Sequence, residues 1–240
     1  MKRKALGWAL LAAAMLAFAA SAGAVDGTVE INQAVVTAAG GFPYVISTAG
    51  TSYRLTGSLT VSSGADAIDV NTSHVTIDLN GFSIGGHGTN SGNGIYGPSA
   101  VALVVENGTI TGFGSLNGVT TGDNGMVNSV HVASDNNGIT TGSGSVIEGC
   151  TANSNGLFDI YAGGGSVISG NTANSATVGI ECNGSGCAIL GNIIDSNSIN
   201  GIQASDGTTG YGGNVLTGNF VTNVTGGTSM GNNICGGKVC

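Results

Sequence analysis

Residues 145–150, 166–171 and 187–192 read SVIEGC, SVISGN and CAILGN, three versions of one six-residue phrase at a step of 21 residues. Looser versions occupy 126–130 and 215–219. An apolar column drawn through the phrase contains Val127, Ile147, Ile168, Ile189 and Leu216. A second column contains Ile139, Ile160, Ile180 and Ile202. Two columns that keep step with each other indicate stacked coils of similar length.

The composition of each coil excludes the helical solenoids. Leucine-rich repeats have a similar period, but they need several Leu per repeat and a helical side, and this chain has neither pattern. Gly, Asn and Ser clusters such as 153–155, 163–165 and 184–186 separate the apolar residues and are typical of turns. Only strands and turns remain. The sequence therefore predicts an all-β fold, a single-stranded parallel β-helix in which each coil pairs with its neighbours.

Asparagine recurs at the predicted turns. The position three residues after the first column holds Val130, Cys150, Asn171, Asn192 and Asn219. A second turn column holds Asp135, Asn155, Ala176 and Asn197. Because an Asn amide both donates and accepts hydrogen bonds, stacked copies can form a ladder along the solenoid axis. We expect Asn171, Asn192 and Asn219 to be structural.

The chain divides into four segments by composition. Residues 1–24 combine a basic start, an apolar stretch and a small-x-small ending, which predicts a cleaved signal peptide. Residues 25–63 do not keep the period and are expected to form an N-terminal cap, because the first coil of a solenoid needs cover. Residues 64–224 are the predicted β-helix coils, and 225–240 are a Gly-rich C-terminal tail. The protein is expected to be secreted, periplasmic or at the cell surface.

Charge narrows the set of partners. Beyond residue 24 the chain keeps only Arg54 and Lys238 against thirteen acidic residues, a net charge near −11. Such a field repels phosphate backbones and anionic lipid headgroups, so we expect no nucleic-acid partner and no membrane insertion after cleavage. The oligomeric state is not fixed by any of these patterns.

The N-terminal part carries a family resemblance. Residues 25–33, Gly41-Phe42-Pro43, Ser52-Tyr53-Arg54-Leu55 and residues 75–82 (VTIDLNGF) resemble secreted bacterial right-handed β-helix repeat proteins. The resemblance implies a right-handed parallel β-helix of the pectate-lyase-like superfamily. That superfamily includes pectin-degrading enzymes, alginate epimerases, phage tailspikes and adhesins, so the fold leaves the activity open.

No catalytic set is visible in the sequence. A lyase of the pectate-lyase type needs a general base and cationic groups, and the two basic residues fall in the predicted cap and tail. The paired Asp and the Arg-x-Lys of the polygalacturonase pattern are absent, and Gly86-His87-Gly88 matches that pattern over three residues only. We therefore predict no catalytic residues and favour a non-enzymatic protein, with a polysaccharide-acting hydrolase, lyase or epimerase as the alternative.

Candidate binding residues lie in loops and turns, and aromatic residues are the candidates for contact with a sugar ring. His87 and Tyr96 belong to a segment that lengthens one coil, and long loops on a rigid scaffold are where binding residues tend to lie. Asp123 and Asp135 lie in polar turns whose oxygen atoms suit calcium. The sequence predicts no cofactor and no metal site, with calcium at these turns as the alternative. The stacking candidates for a sugar ring are Tyr96, Phe113, Phe158, Tyr161 and Tyr211.

Five cysteines in an exported chain indicate disulfides with one thiol left over. Cys182 and Cys187 flank one flexible turn, and Cys235 and Cys240 flank another, so each pair is expected to bond. Cys150 lies in the Asn column and is expected to be a buried free thiol. Together these features predict an exported structural or binding β-helix protein whose partners are neutral polysaccharide or cell-surface components.

Overall fold

A computed structural model describes residues 27–62 and 64–240, so the predicted signal peptide at 1–24 lies outside the described residues. The chain winds into a parallel β-solenoid, and the predicted fold class is confirmed. Each regular coil contributes one strand to each of three parallel faces. Face 3 contains nine strands, which corresponds to about nine coils.

The strands follow the chain from face 1 to face 2 to face 3 in each coil. Face 1 contains β1 (Thr28–Ile31), β3 (Ser52–Leu55), β6 (Thr76–Asp78), the first part of β9 (Val104–Thr111) and of β11 (Met126–Ala133), β13 (Val146–Glu148), β16 (Val167–Ser169), β19 (Ala188–Leu190), β22 (Gly210–Gly212) and β25 (Thr228–Ser229). Face 2 contains β4 (Leu59–Thr60), β7 (Ser83–Gly85), the second part of β9 and β11, β14 (Thr151–Asn153), β17 (Thr172–Asn174), β20 (Ile193–Asp195), β23 (Val215–Thr217) and β26 (Ile234–Cys235). Face 3 contains β2 (Tyr44–Ile46), β5 (Ile68–Val70), β8 (Ile95–Gly97), β10 (Asn117–Thr121), β12 (Asn137–Thr141), β15 (Phe158–Gly163), β18 (Val178–Asn183), β21 (Asn200–Ala204) and β24 (Thr222–Thr225).

The two ends of the solenoid differ from its middle. In the first coil the short helix α1 (Gln33–Ala38) lies between β1 and β2, and the Asn32 side chain caps it by accepting from the backbone N–H groups of Ala34 and Val35. The segment 27–62 thus holds four strands besides the helix. At the other end β25 and β26 extend faces 1 and 2, and β27 (Lys238–Val239) pairs antiparallel with β26. Among the described residues no helix is long and apolar enough to cross a membrane.

Stacked aliphatic side chains fill the interior. Val127, Ile147, Ile168 and Ile189 lie in register on face 1, as the sequence predicts, and all four are fully buried. The second predicted column, Ile139 to Ile202, lies in register on face 3 and is equally buried. β-Branched residues suit these positions because their stiff side chains pack well on a pleated surface.

The placement of Leu216 in the first column is wrong. Leu216 pairs with Ile194 on face 2, and Tyr211 is the residue that continues the face 1 column after Ile189. Faces 1 and 2 both end in a Gly-Asn or Ser-Asn pair, so the phrase at 215–219 fits either face. The step of 27 residues from Ile189 to Leu216, against 20 or 21 elsewhere in the column, is the sign of this shift.

The bend between faces 1 and 2 carries an asparagine ladder, which we call the first ladder. Cys150 donates its backbone N–H to Asn171 Oδ1 at 2.8 Å, and Asn171 donates likewise to Asn192 Oδ1 at 2.9 Å. The ladder continues through Asn214 to Asn233, with each side chain also donating to the Oδ1 of the next coil. These side chains are buried, so every bond forms in a region of low dielectric where an unpaired polar group is costly.

Asn219 belongs to a different ladder from the one predicted. It lies at the bend between faces 2 and 3, which we call the second ladder, with Asp135, Asn155, Ala176 and Asn197 in the preceding coils. Asn219 Oδ1 accepts from the Asn197 backbone N–H at 3.1 Å and from Asn197 Nδ2 at 2.9 Å. Asn219 was misplaced for the same reason as Leu216, because the bend after face 1 and the bend after face 2 both carry a Gly-Asn or Ser-Asn pair.

Both predicted disulfides are present, between Cys182 and Cys187 and between Cys235 and Cys240. Cys150 is a buried free thiol, as expected, and burial raises its pKa to about 11. The thiol therefore stays protonated and unreactive at neutral pH.

Digestion of the non-reduced protein should release cross-linked peptides that join 182 to 187 and 235 to 240. Alkylation of Cys150 should require unfolding, because the thiol is buried. Each disulfide closes a short loop, so reduction of one bond is expected to lower the free energy of unfolding by about 2 kcal/mol in the chain-entropy account. Mass spectrometry checks the pairing, and a cross-linked peptide that contains Cys150 would overturn it.

Candidate functional site

One column of outward side chains runs the full length of face 3 and defines the candidate site. Because side chains alternate across a strand, the residue that follows each member of the buried Ile column faces away from the core. We call this set the outer column of face 3. It contains, from the first coil to the ninth, Val45, Asp69, Tyr96, Thr120, Thr140, Tyr161, Glu181, Gln203 and Thr225.

Two tyrosines are the aromatic members of the outer column. Tyr96 is 38% exposed, and Tyr161 packs against Phe158 with ring centroids 5.2 Å apart. Two rungs separate Tyr96 from Tyr161, so at roughly 4.8 Å per strand the rings lie about 14 Å apart along the axis. Thr120 and Thr140 occupy the interval between them. The smaller threonines form the floor of the interval, and the two rings form its ends.

The interval between the tyrosines is lined by neutral hydrogen-bonding groups. Asn117 Nδ2 donates to Thr120 Oγ1 at 2.9 Å, and Asn137 Nδ2 donates to Asn117 Oδ1 at 2.8 Å. Thr140 Oγ1 and Asn137 Oδ1 have no hydrogen-bond partner although both atoms are shielded from solvent. Asp69 Oδ1, at the next rung beyond Tyr96, is in the same condition. Such orphaned oxygens are uncommon in folded proteins and mark positions with unused hydrogen-bonding capacity.

Carboxyl groups flank the two tyrosines. The pKa of Asp69 is raised to about 6, chiefly by burial and further by the hydrogen bond and the charge of neighbouring Asp66. Burial also raises the pKa of Glu181, whose carboxylate accepts from Gln203 Nε2 at 3.2 Å. Neither Arg54, on face 1, nor Lys238, in β27, lies on this face. The outer column thus presents aromatic rings, hydroxyls and amides between two acidic ends.

A depression of about 380 Å³ adjoins Tyr96 at the edge where face 3 turns towards face 1. Tyr96, Pro98, Val70 and Asn71 contribute to its lining. Its volume lies within the range of small-ligand pockets, and it combines an aromatic ring with polar turn residues. The depression therefore extends the surface of the outer column sideways at the Tyr96 end.

A second depression, of about 320 Å³, lies over the bend between faces 1 and 2. His131, Thr151 and Asn107 are among its lining residues, and no aromatic ring other than the imidazole contributes. This depression offers fewer kinds of contact than the face 3 surface, because no Phe, Tyr or Trp ring on which a sugar can stack is among its lining residues.

The predicted site residues do not converge. His87 is exposed in the loop after β7, next to a short 3₁₀ helix at Gly88–Asn90, and its backbone N–H contacts Ser91 Oγ. Asp123 lies in the turn from face 3 to face 1, where its Oδ1 accepts the Ser143 N–H at 2.8 Å. Tyr96 alone of these lies on the outer column.

Asp135 is buried, with 3% of its surface exposed, and its Oδ1 accepts the Phe113 N–H at 2.6 Å. Its carboxyl group therefore faces the interior of the solenoid. Within residues 27–62 and 64–240, no three His, Cys, Asp or Glu side chains are grouped so that they can hold a metal ion.

Two stacking candidates also lie away from any surface site. Phe113 is fully buried, and Tyr211 packs partly against the core.

The polar floor at Thr120 and Thr140 was missed by sequence reasoning. Its signal is the pentapeptide Asn-Gly-Val-Thr-Thr at 117–121, repeated as Asn-Gly-Ile-Thr-Thr at 137–141. A repeated outward Thr beside a repeated Asn indicates a shared surface once the coil register is known.

The comparison with known proteins bears on the fold. No protein-family model and no curated protein matches the chain. Among solved structures, the chain is similar to the crystal structure of Dettilon tailspike protein (gp208), with a TM-score of 0.55 and 13% sequence identity. The match covers 89% of this chain and 60% of the tailspike chain, so this chain spans less than two thirds of the length of that chain. At this identity the likeness supports the β-solenoid architecture.

Proposed function

We propose that the protein is an exported glycan-binding solenoid whose outer column of face 3 contacts a neutral polysaccharide. The observation that carries the proposal is the arrangement of Tyr96 and Tyr161 around a floor of Thr120 and Thr140. Sugar rings present apolar faces and a rim of hydroxyls, and tyrosine offers an apolar ring with a polar tip.

The ligand's direction follows from the register of the strands. Tyr96 and Tyr161 lie on one straight column that runs parallel to the solenoid axis, so an extended glycan chain lies along that axis. The residues are carried by paired parallel strands, which hold them more rigidly than loops do. A chain bound in this way meets both rings at once, and the two contacts reinforce each other.

Charge favours a neutral ligand over an acidic one. Asp69 and Glu181 flank the tyrosines, and the mature chain has a net charge near −11. An acidic glycan brings like charges together at both ends of the site, and this repulsion is strongest at low salt. Calcium that bridges two anionic surfaces would reverse this preference, which makes it a useful variable in a binding assay.

On the outer column of face 3, the spacing of the carboxyl groups favours binding over hydrolysis. Glycoside hydrolysis requires two carboxyls roughly 5 to 9.5 Å apart. Asp69 and Glu181 lie five strand steps apart on this column, roughly 24 Å at about 4.8 Å per strand, which is too far for that arrangement, and Asp66 is the neighbour whose charge helps to raise the pKa of Asp69. Asp66 Oδ1 is also held by the backbone N–H and the Nδ2 of Asn93, at 2.5 and 2.9 Å. A polysaccharide-acting enzyme is the alternative, and turnover in the assay below distinguishes it.

Export and superfamily membership are parts of the same proposal. The signal-peptide pattern of residues 1–24 supports export, and the two disulfides fit an oxidising compartment. The resemblance of residues 25–82 to secreted β-helix repeat proteins supports membership of the pectate-lyase-like superfamily.

The proposal predicts that the purified mature protein binds neutral polysaccharides and leaves acidic ones such as pectate and alginate unbound in the absence of calcium. Retention and product release are measured across a panel of neutral and acidic polysaccharides, with and without calcium. We expect retention of at least one neutral glycan and no product release. Retention of acidic glycans alone, without calcium, would contradict the proposal, and turnover would support the enzyme alternative.

Single variants locate the site. Tyr161→Ala and Tyr96→Ala are each expected to weaken binding of the retained glycan by about tenfold, which corresponds to one aromatic contact of about 1.4 kcal/mol. Phe220→Ala is the matched control, because Phe220 is 85% exposed and lies outside the outer column. Equal affinity for wild type and both tyrosine variants would show that the glycan binds elsewhere.

A further inference from the structure

The second ladder has a gap at its centre. In a regular rung, the Oδ1 of one coil accepts the backbone N–H of the coil before it, as Asn155 does for Asp135 and Asn197 does for Ala176. Ala176 has no side-chain oxygen, so it cannot accept from Asn155. By the pattern of the other rungs, the amide of Asn155 should be left without its partner in a buried region.

Asp159 lies at that gap. Its Oδ1 accepts from Asn155 Nδ2 at 2.8 Å, although Asp159 comes from face 3 of the same coil and not from the ladder column. The last coil shows the same substitution, where Asn219 has no further rung and its Nδ2 donates to Asn223 Oδ1 at 3.1 Å. The register of face 3 places Asp159 and Asn223 at equivalent positions.

Glycine occupies the equivalent position of Asp159 wherever the next rung is Asn. A Cβ atom on Gly138, Gly179 or Gly201 would lie 2.7 Å from the Nδ2 of Asn155, Asn197 or Asn219 respectively, too close for any side chain. Only beside Ala176 does the ladder leave room. In the other coils a ladder Asn supplies the polar side chain and a Gly leaves room for it. Here Ala176 leaves the room and Asp159 supplies the polar side chain.

The carboxyl group of Asp159 is in a place that disfavours charge. The residue is fully buried, and its Oδ2 has no hydrogen-bond partner. The strands packed against β15 bring no cation: β12, β14 and β17 carry no ionisable side chain, and Glu181 of β18 lies on the outer column. The nearest acidic group along the ladder is Asp135, on the far side of Asn155, and it is buried as well.

We propose that Asp159 completes the second ladder in place of the side chain that Ala176 lacks, and that it does so as a neutral carboxylic acid, which makes this joint of the solenoid sensitive to pH. Burial raises the pKa of Asp159 to about 8, although Asn155 and Asn174 lower it in part. The unfolded chain releases the same proton above about pH 4. The stabilisation is therefore complete below about pH 4 and is lost as the pH rises towards 8.

The first test separates the acid from the acceptor. Asp159→Asn keeps an Oδ1 that can accept from Asn155 and removes the titration, as Asn223 does at the last coil. We expect its melting temperature to lie within a few degrees of wild type at pH 5 and to exceed that of wild type at pH 9 by roughly 5 °C or more. Identical pH dependence of the two proteins would overturn the proposal.

The second test restores the pattern of the neighbouring coils. Asp159→Gly and Ala176→Asn should each lower the melting temperature at pH 7 by roughly 5 to 10 °C, the first by leaving Asn155 unpaired and the second by a clash with Asp159. The double variant carries the Gly and Asn of the other coils, so it should recover most of the loss. A loss in the double variant equal to the sum of the single losses would contradict the exchange. If a single variant fails to fold, a double variant that folds and melts near the wild-type temperature supports the exchange, and a double variant that also fails to fold contradicts it.

Discussion

Replacement of Asn192 by Ala is expected to lower the free energy of unfolding by about 2 to 6 kcal/mol. Asn192 Oδ1 accepts the backbone N–H and the Nδ2 of Asn171, at 2.9 and 3.1 Å, and its Nδ2 donates to Ile168 O and Asn214 Oδ1, both at 3.0 Å. The substitution removes these partners from two buried groups, the Asn171 backbone N–H and Ile168 O, and each unpaired group costs about 1 to 3 kcal/mol, whereas Asn171 Nδ2 and Asn214 Oδ1 keep their bonds to Ile147 O and the Asn192 backbone N–H. Urea unfolding measures the loss.

Asn174→Ala is the matched control for the ladder. Asn174 lies on the outward side of face 2, where its Oδ1 accepts from exposed Ser175 Oγ. We expect a change within about 0.5 kcal/mol there, as for most surface substitutions. Equal losses in the two variants would mean that the interior ladder contributes no more than a surface hydrogen bond, which would contradict the account of the bends.

Ile168→Ala is expected to cost about 2 to 5 kcal/mol, because it removes buried methyl groups from a closely packed column. Ile168 is fully buried between Ile147 and Ile189, which belong to the coils on either side and cannot easily move to fill the space. For a domain of this size the loss corresponds to a fall in melting temperature of roughly 5 to 15 °C. Thermal unfolding provides the measurement.

The control for the core is Val167→Ala, one residue earlier on the same strand. Val167 is 38% exposed, so its side chain contributes much less buried area. We expect a loss under about 1 kcal/mol. A melting temperature for Ile168→Ala equal to that of wild type would mean that the column is not the core of the solenoid.

The period of the sequence predicts the coils well because each interior position must hold an aliphatic side chain. Ile147, Ile168 and Ile189 recur at one step, and the stack that they form is what the step encodes. Leu216 and Asn219 were misplaced because faces 1 and 2 end in the same kind of bend. A single repeated phrase cannot tell two neighbouring bends apart, and only the pairing of strands does.

The candidate site was less predictable for a physical reason. Tyr96 was identified from its place in the segment that lengthens one coil, but Thr120 and Thr140 are unremarkable residues until the register places them between two tyrosines. Asp159 gave no signal, since its role depends on the absence of a side chain at Ala176 in the next coil. Such relations join residues about 20 positions apart and arise only when the coils stack.

The most direct test of the account is a crystal structure of the protein with the neutral glycan that it retains. We predict sugar rings stacked on Tyr96 and Tyr161, a chain direction parallel to the solenoid axis, and hydroxyl contacts to Thr120 or Thr140. A glycan bound on face 1 or face 2, or in the depression beside His131, would contradict the assignment of the outer column of face 3 as the binding surface.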